Sequence, residues 1–535
     1  MRARVRDQAH LSVDRLLRDL ASPAAYPHPV DHVEVVQTHI SLVFLAGERV
    51  YKLKKPVDLG FVDYSTLARR RACCEAEVSL NRRLAPDVYL GVVPVTARRG
   101  RLRAGGSPRA ALEWAVVMRR LPDARTLAAL VEADAADAPL LERVGRRLAA
   151  FHREARGGPD VARWARHEAV AANCRDNLRD VRPLVGAALS ARVLDRLARL
   201  TELRLLELRS TIEARAAAAR DGHGDLRLEH VHVPADPAAD PRVIDCVEFS
   251  EALRCADPAS DVAFLAMELL RAARPDLAAA FLRAWQDAAG DAGARAVLPF
   301  YVGYRALVRA KVDGFTARAA EVPAAQRARA VARARAHALL ALGALAPPAH
   351  RPALVLVCGL PGTGKSVLAR ALAEAADLVW IRADAVRKAL GREAGVTSTR
   401  GGAWGEGLYA PSWSDRTYAR CLDLAEWAAF EGRRVVVDAC FASEARRRAF
   451  LDAARAWGVP ALVLHLEAPA EVARARLDAR GPDPSDADRA THARMTAGWE
   501  PFGPATARVV RRLEAGGPPP LAAALDALRA AGLFD

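Results

Sequence analysis

Lysine is scarce in this chain of 535 residues: only six lysines stand among 79 basic side chains. Arginine therefore supplies the general surface charge, and a lysine marks a place where a compact ammonium group is favoured over a planar guanidinium. Three of the six cluster in the segment YKLKKP, and one lies in a glycine-rich segment further along. The scarcity makes these lysines candidates for functional roles.

Cysteine is also rare and follows no metal or disulfide spacing. The eight cysteines include no C-x-x-C pair, and two of them, Cys73 and Cys74, are adjacent. This pattern argues against both a disulfide framework and a zinc site. We therefore expect the protein in the cytoplasm, where thiols stay reduced.

Long hydrophobic runs are missing. The longest, such as ALVLVC and HALLALGALA, fall far short of the roughly 20 apolar residues that cross a bilayer. The basic segment MRARVRDQAHLSVDRLL has no apolar core, so we expect neither a secretory signal nor a membrane partner. The hydrophobic fraction of 52% is nevertheless enough for several domains with full cores.

The net charge of +15 raises the question of nucleic-acid binding. The arginines are spread through alanine-rich helical stretches such as Ala324–Ala338, without the interleaved aromatic residues of a stacking platform. A solvated helix face is therefore favoured over nucleic-acid binding as the main role. Attraction of anionic substrates needs no further partner.

The segment 346–352, within ALAPPAHRP, divides the chain. Its three prolines predict a linker between a domain at 1–345 and a domain at 353–535. Before the linker, β-like runs over Val33–Val95 give way to helical periodicity over Leu127–Leu345. After it, the apolar runs LVLVC, LVWI, RVVVD and ALVLHL alternate with helical segments, which predicts a parallel sheet wrapped by helices.

The glycine-rich segment is LVLVCGLPGTGKS, followed by the helical pattern VLARALAEAA. Tight turns at its glycines let successive backbone N–H groups and a helix N-terminus face the phosphates of a nucleotide. Lys365 would reach the β- and γ-phosphate oxygens, and Ser366 would offer its hydroxyl to Mg²⁺. The segment therefore predicts a site for ATP and Mg²⁺ built from Gly359, Leu360, Pro361, Gly362, Thr363, Gly364, Lys365 and Ser366.

Two further segments place polar side chains after predicted strands, at the edge where such sheets bind ligands. In IRADAVRK, Asp384 is placed to orient an acceptor hydroxyl and Arg387 to hold an anionic acceptor. A helix-capping role for Asp384 is the alternative. RVVVDA ends a strand in Asp438, a carboxylate of the Walker-B type for the water shell of Mg²⁺.

The segment EVARARLDAR sets Arg476 and Arg480 one helical turn apart, just before the loop GPDPSDADR. Paired arginines beside a loop suit the clamping of transferring phosphoryl oxygens. In a chain so rich in arginine, a solvated helix face is the alternative.

These motifs together resemble the small P-loop kinases of the gluconate kinase, polynucleotide kinase and chloramphenicol phosphotransferase type. The resemblance covers roughly Pro352–Glu514 and rests on GLPGTGKS, IRADAVRK, VVVDACF and E-x-x-x-A-R-L-x-x-R. It implies an ATP- and Mg²⁺-dependent kinase with an α/β P-loop fold.

The N-terminal part carries its own set of charged motifs. Asp225 lies in an H-G-D-L loop, and Asp245 ends a strand some twenty residues later in RVIDCVEFS. Kinase-like folds use one such carboxylate to orient the acceptor hydroxyl and another to bind Mg²⁺.

A phosphate-binding lysine and its acidic partner are expected upstream of that loop. Lys52 and Lys54 share one face of the predicted strand in ERVYKLKKP, so both are candidates. ACCEAEVSLNRRL offers Glu75 and Glu77 as the partner. We prefer Lys52 with Glu77 and keep the other choices open.

Over Asp31–Leu345 the chain resembles the aminoglycoside phosphotransferase family of the protein-kinase-like fold. The whole chain looks like bacterial two-domain proteins that join such a domain to a P-loop kinase. The resemblance implies an α+β bilobal domain, with an N-lobe at about 31–120 and a helical C-lobe at about 121–345, followed by the α/β P-loop domain. In the family the catalytic loop runs H-G-D-x-x-x-x-N and the Asn binds Mg²⁺, whereas this chain has His230 there. Imidazole is a poor ligand for magnesium.

Three functional hypotheses follow. The first is a small-molecule kinase that phosphorylates an unidentified hydroxyl-bearing acceptor at the P-loop site, with the N-terminal domain as a possible second active site. The second makes the N-terminal domain a catalytically weak sensor that regulates the P-loop enzyme. The third is a polynucleotide end-kinase, which the positive charge permits but does not require. The fold is shared by kinases of many substrates, so the acceptor stays open, as does the oligomeric state.

Overall fold

The computed structural model describes residues 11–58, 60, 62–320, 322–396, 408, 410–479, 485 and 487–535. The chain forms two compact units. The first comprises Met1–Val170, Ser210–Leu269 and Arg274–Val297, and the second Ala171–Arg209, Leu270–Ala273 and Leu298–Asp535. The domains at 1–345 and 353–535 and the linker at 346–352 stay a prediction, since the two units divide the chain differently.

Helices make up most of the described residues. In chain order they are α1 (Val13–Leu20), α2 (Leu67–Asn81), α3 (Leu127–Glu132), α4 (Ala138–Glu154), α5 (Pro159–Ala162), α6 (His167–Val181), α7 (Ala191–Glu207), α8 (Arg209–Arg215), α9 (Glu251–Arg254), α10 (Pro258–Arg271), α11 (Pro275–Ala289), α12 (Ala294–Arg318), α13 (Ala324–Leu345), α14 (Lys365–Ala376), α15 (Ala383–Glu393), α16 (Pro411–Phe430), α17 (Glu444–Trp457), α18 (Ala470–Asp478), α19 (Arg489–Ala497), α20 (Pro504–Val509) and α21 (Leu521–Ala530). Within the described ranges, none of them has the length and apolarity that a bilayer crossing requires.

A six-stranded antiparallel sheet organises the first unit. Its strands are β1 (Val33–Gln37), β2 (Ser41–Ala46), β3 (Arg49–Lys54), β4 (Tyr89–Arg98), β5 (Arg101–Ala104) and β6 (Glu113–Arg119), in the spatial order β1-β2-β3-β6-β4-β5. Two small antiparallel pairs follow in the chain, formed by β7 (Arg220–Asp221) with β10 (Cys255–Ala256) and by β8 (Val231–His232) with β9 (Arg242–Val243).

Strand β3 and helix α2 position the charged groups of this unit. Side chains two residues apart on a strand point to the same face, so Lys52 and Lys54 lie together. Helix α2 begins after Thr66, whose hydroxyl accepts a hydrogen bond of 3.2 Å from the backbone N–H of Arg69. It packs against β4 and β6, which turns the fully buried Glu77 towards the sheet.

A five-stranded parallel sheet organises the second unit. Its strands are β11 (Leu354–Cys358), β12 (Val379–Arg382), β13 (Val435–Asp438), β14 (Ala461–Glu467) and β15 (Val510–Glu514), in the spatial order β12-β13-β11-β14-β15. The register pairs Val357 with Asp438 and Asp438 with Arg382. The carboxyl ends of these strands therefore meet at one edge of the sheet.

The predicted fold class is confirmed: an α+β kinase-like domain is followed by an α/β P-loop domain whose parallel sheet is wrapped by helices. The apolar runs predicted as strands are β11 to β14. The residues of β11 and β13 are buried on both faces, as continuous apolar runs in a parallel sheet require. The edge strand β15, which reads VRRLE and is mostly exposed, was not predicted.

Candidate functional site

The loop between β11 and α14 forms a tight turn that only glycine can make. Gly359, Gly362 and Gly364 have φ of 144°, 84° and 92°. A Cβ atom at Gly359 would lie 2.5 Å from the carbonyl oxygen of Leu466, and one at Gly362 would lie 2.4 Å from that of Ala473. The loop thus passes directly against β14 and α18, and its last glycine is the N-cap of α14.

Hydrogen bonds hold the rest of this loop in place. The hydroxyl of Thr363 donates to the carbonyl oxygen of Leu360 at 2.9 Å, and the ammonium group of Lys365 donates to the same oxygen at 2.8 Å. His492 on α19 is buried, with its Nδ1 2.8 Å from the carbonyl oxygen of Pro361. The sequence analysis did not single out His492, since no spacing links it to a loop 131 residues earlier.

Asp438 lies beside the start of α14 and is almost fully buried. Burial raises the pKa of its carboxyl group, and the charge of Lys365 opposes that rise. Ser366 donates a hydrogen bond to the carboxylate, while Oδ2 has no hydrogen-bond partner among the described residues. Its distance to Nε of Arg382 is 3.9 Å. A buried carboxylate oxygen next to a serine hydroxyl fits the hydrated Mg²⁺ of a P-loop site.

Asp384 and Arg387 lie on α15, directly after β12. Asp384 is in the first turn, and the helix N-cap is Arg382, so the capping role for Asp384 is wrong. Its negative charge acts on Asp438, which places both carboxylates at this sheet edge. Arg387 is buried and donates to the carbonyl oxygen of Leu408 at 2.8 Å. The Nη1 atom of its guanidinium therefore stabilises the fold.

Arg476 on α18 contacts the loop, although through the backbone. Its guanidinium donates to the carbonyl oxygens of Ala515 at 2.8 Å, Gly517 at 2.6 Å and Thr363 at 3.4 Å. A Cβ at Gly364 would lie 3.7 Å from its Nη1, which places its charge beside the loop. Arg480, the second arginine of the predicted clamp, lies outside the described residues.

In the first unit, both candidate lysines contact the same glutamate. Lys52 lies 2.9 Å from Oε1 of Glu77 and Lys54 lies 2.5 Å from Oε2. Burial disfavours the charge of Lys52, but Asp245 and Glu77 hold the pKa of its ammonium group well above the ordinary value. Glu75, the alternative acid, instead pairs with Arg71 at the surface.

Each lysine also pairs with a second carboxylate, and one of the two, Glu248, was not predicted from the sequence. Lys52 lies 2.5 Å from Oδ1 of Asp245, while Lys54 is bonded to Glu248. Glu248 accepts a further hydrogen bond of 2.6 Å from the hydroxyl of Tyr64. Burial opposes ionisation of Asp245, but Lys52 lowers the pKa of this carboxyl below its usual range.

The loop that carries Asp225 is arranged around two histidines. The backbone N–H of Asp225 donates to Nδ1 of His223 at 3.3 Å, while Nε2 of His223 is 3.0 Å from the carbonyl oxygen of Ile244. Nδ1 of His230 lies 2.9 Å from the carbonyl oxygen of Asp225, and its Nε2 lies 3.6 Å from Oδ2 of Asp245. His230 therefore lies between the two carboxylates predicted to act in this domain.

Comparison with known proteins places the chain in a family. The model of the AAA_33 family, described as an AAA domain, matches residues 354–502. The uncharacterized protein Rv2004c of Mycobacterium tuberculosis is 34% identical over 418 residues, which are 77% of this chain and 79% of the relative. The chain belongs to the family of this mycobacterial protein. The uncharacterized protein Mb2027c of Mycobacterium bovis matches to the same extent.

Solved structures of two kinds are similar to parts of the chain. A gluconokinase from Sinorhizobium meliloti covers 34% of this chain and 94% of its own, at 18% identity and a TM-score of 0.26. A choline/ethanolamine kinase family protein from Mesorhizobium loti covers 62% of this chain and 98% of its own, at 17% identity and a TM-score of 0.37. The predicted resemblance to a P-loop kinase joined to a kinase-like domain is confirmed.

Proposed function

We propose that the protein is an ATP- and Mg²⁺-dependent phosphotransferase that acts on a hydroxyl group of a small molecule at the P-loop site. The observation that carries this proposal is the grouping of Lys365, Ser366 and Asp438 around one glycine turn, with Oδ2 of Asp438 making no hydrogen bond among the described residues. Such a grouping serves the binding and transfer of a phosphoryl group. The eight cysteines are all free, which fits a cytoplasmic protein.

Each side chain of this site has a defined task in the proposal. The backbone N–H groups at the start of α14 bind phosphate oxygens. The ammonium group of Lys365 gives up its hydrogen bond to the carbonyl oxygen of Leu360 and binds phosphate oxygens as well. Ser366 and Asp438 hold the metal ion with its water. Bound MgATP supplies the phosphoryl group and the metal charge. Asp384 orients the acceptor hydroxyl and accepts its proton.

Arg387 and Arg476 have supporting tasks. Arg476 keeps its bonds to Ala515 and Gly517 and adds positive charge beside the loop. Arg387 lies on the same helix as Asp384, where its charge favours an anionic acceptor. Arg480 is proposed as the second clamp residue.

A screen of hydroxyl-bearing acceptors with the full chain tests this proposal. Phosphate transfer from labelled ATP is measured for the wild type and for Asp225→Asn, which removes the candidate acceptor-orienting carboxylate of the first unit. Transfer that survives Asp225→Asn supports the P-loop site. Transfer lost in Asp225→Asn assigns the reaction to the first unit and contradicts the proposal. A single-stranded oligonucleotide as acceptor tests the polynucleotide kinase alternative.

A second candidate function is a sensor role for the kinase-like domain. It is favoured by the direct ion pair of Lys52 with Asp245 and by His230 at the position of a metal-binding Asn. Because Asp245 is paired with Lys52 and lies beside the imidazole of His230, Mg²⁺ binding at this carboxylate is weak. Nucleotide binding without efficient transfer is the function that this arrangement supports.

His230→Asn tests the sensor role. In a Lys365→Ala background, which weakens the P-loop site, the added amide oxygen should strengthen Mg²⁺-dependent ATP binding in calorimetry by at least about tenfold. Adding Asp245→Ala should remove the gain. Tight Mg²⁺-dependent binding already present with His230 in place would contradict the sensor role.

A further inference from the structure

The second unit contains a cavity of about 740 Å³ that the proposed reaction does not use. All of its lining residues belong to this one unit. One wall is α7, and the others are the segment after α13, the C-terminus of α14 and the turn before β13. A volume of this size lies in the range of about 300–1,000 Å³ typical of small-molecule sites.

Helix α7 presents a row of charged side chains to this cavity. Arg192, Asp195, Arg196 and Arg199 all line it. Their spacings of three and four residues place them on one helix face. Three cations and one carboxylate therefore occupy a surface about two turns long.

Two arginines fix the cavity walls. Arg196 donates to the carbonyl oxygen of Gly432 at 2.6 Å and to that of His350 at 2.9 Å. Arg434 is only 4% exposed; it donates to the carbonyl oxygen of Ala376 at 2.9 Å and also to Ala349. These bonds connect α7 with the segment after α13, and the turn before β13 with α14. The cavity is therefore a built feature of the fold.

The side chains of three other arginines of the lining, Arg192, Arg199 and Arg433, have no partner among the described residues. Their guanidinium groups make neither a hydrogen bond nor an ion pair there, although all three residues line the cavity. The two carboxylates of the lining, Asp195 and Asp377, form no ion pair with them either.

Two arginines of the lining, Arg192 and Arg199, repel a third. Burial, together with the charges of Arg192 and Arg199, holds the pKa of Arg196 below its ordinary value. Burial likewise lowers the pKa of Arg434, against the opposite effect of Asp377. Five arginines face two carboxylates, so an anion in the cavity would relieve this repulsion.

We propose that this cavity is a second anion site, specific for a diphosphate group, either free or carried by a nucleotide. Guanidinium groups bind phosphate oxygens in pairs through their planar fork of donors, and several arginines converge here. A single monovalent anion would leave most of these charges unmatched. The apolar side chains of Leu200 and Pro347 in the lining offer a surface for the rest of a larger ligand.

The site is separate from the P-loop. Asp377, in the lining, is the C-cap of α14, whereas Lys365 begins that helix 12 residues earlier. At 1.5 Å per residue the two ends are about 18 Å apart. Arg434 precedes β13, whose other end carries Asp438. The cavity therefore lies at the opposite edge of the sheet and binds its ligand without competing with MgATP.

Hydrogen–deuterium exchange on the full chain, with and without pyrophosphate, tests the site. We expect slower exchange in peptides covering 192–200, 346–350 and 432–434, as well as in the P-loop peptide. The double variant Arg192→Gln/Arg199→Gln should lose protection in the cavity peptides and keep it in the P-loop peptide. The affinity of the double variant for pyrophosphate at the second site, measured by calorimetry, should fall at least about tenfold. Arg329→Gln/Arg420→Gln, which removes two exposed arginines elsewhere in the same unit, is the matched control.

Parallel exchange measurements with pyrophosphate, ADP and a single-stranded oligonucleotide distinguish a free diphosphate, a nucleotide and a nucleic acid as the ligand. Protection of the cavity peptides by pyrophosphate alone assigns a free diphosphate, and protection by ADP assigns a nucleotide. Protection by neither overturns the proposal, as does protection that persists in the double variant. Protection by a single-stranded oligonucleotide but not by pyrophosphate overturns it in favour of nucleic acid.

Discussion

At the scale of single residues, Asp438 combines burial with an unused oxygen. Burial raises the pKa of this carboxyl group, and its Oδ2 atom makes no hydrogen bond among the described residues. An unpaired polar atom of this kind costs about 1–3 kcal/mol. Such a cost is expected at a binding site, where a ligand supplies the missing contact.

Asp384→Asn separates acceptor chemistry from nucleotide binding. The substitution keeps the shape of the side chain but removes the carboxylate that we propose as acceptor of the hydroxyl proton. We expect phosphate transfer to fall by at least about 10²-fold while ATP affinity changes less than about threefold. Calorimetric ATP titration beside a transfer assay measures both.

The control for this variant is Asp423→Asn, which changes an exposed aspartate on α16. It should leave transfer and affinity unchanged. A parallel loss of ATP affinity in Asp384→Asn would show that Asp384 maintains the loop instead of serving the acceptor.

His223 makes the stability of the first unit depend on pH. Both of its ring nitrogens are used when the ring is neutral, and burial lowers its pKa to about 4. The folded state therefore resists protonation that the unfolded state accepts near pH 6.5. Its stabilising contribution is complete above pH 6.5 and is lost as the pH falls towards 4, by up to about 1.4 kcal/mol per pH unit.

Denaturant unfolding at pH 7, 6 and 5, followed by a probe in the first unit, measures this dependence. His223→Gln should flatten the profile. His32→Gln, at a side chain that is 75% exposed, should leave it unchanged. An equal slope in wild type and His223→Gln would contradict the assignment.

Residues with a local signal were predictable and those with only long-range partners were not. Lys365, Ser366 and Asp438 follow from a motif and a strand end. His492 and Glu248 reach their sites by packing across more than a hundred residues of chain. Their neighbours in the sequence carry no pattern that marks them. The choice between Lys52 and Lys54 stayed open because both lie on one strand face, and in the structure both contact Glu77.

At the scale of secondary-structure elements, the strand–turn–helix around the P-loop is the most constrained segment of the site. The turn approaches the carbonyl groups of β14 and α18 so closely that a single methyl group has no room. Its geometry therefore depends on glycine both for the positive φ and for the contact.

Gly362→Ala tests this dependence. Its Cβ would meet the carbonyl oxygen of Ala473, and a left-handed conformation costs a non-glycine residue about 1–2 kcal/mol. We expect ATP affinity to fall at least about tenfold by calorimetry. Gly343→Ala, inside α13, should keep the affinity, because the new methyl group would meet no atom of another described part of the chain within 4 Å. Equal affinities in the two variants would contradict the described loop geometry.

Strands with continuous apolar runs were predictable because the central strands of a parallel sheet are buried on both faces. Strand β15 was not, because an edge strand keeps one side in solvent and reads as a charged segment. Helix α15 follows its predicted position, but its N-cap is Arg382, whose side chain makes no capping hydrogen bond.

At the scale of the whole molecule, the two compact units do not follow the linear order of the chain. Helices α7 and α13, which precede the predicted linker, belong to the unit that holds the P-loop. Prolines and a change in composition mark a break in the sequence, whereas packing decides which helices share a core. The sequence therefore predicted both folds but could not assign these helices or the arginine-lined cavity that α7 helps to form.

Phosphate transfer by full-length Lys365→Ala tests the central claim most directly. The variant lacks the ammonium group that, in the proposed reaction, binds the phosphoryl oxygens, an electrostatic contribution of a few kcal/mol. We measure transfer from ATP to the acceptor found in the screen, beside Arg370→Ala on the exposed face of the same helix. We expect at least about a 10²-fold loss in Lys365→Ala and no loss in Arg370→Ala. Undiminished transfer in a folded Lys365→Ala protein would contradict it.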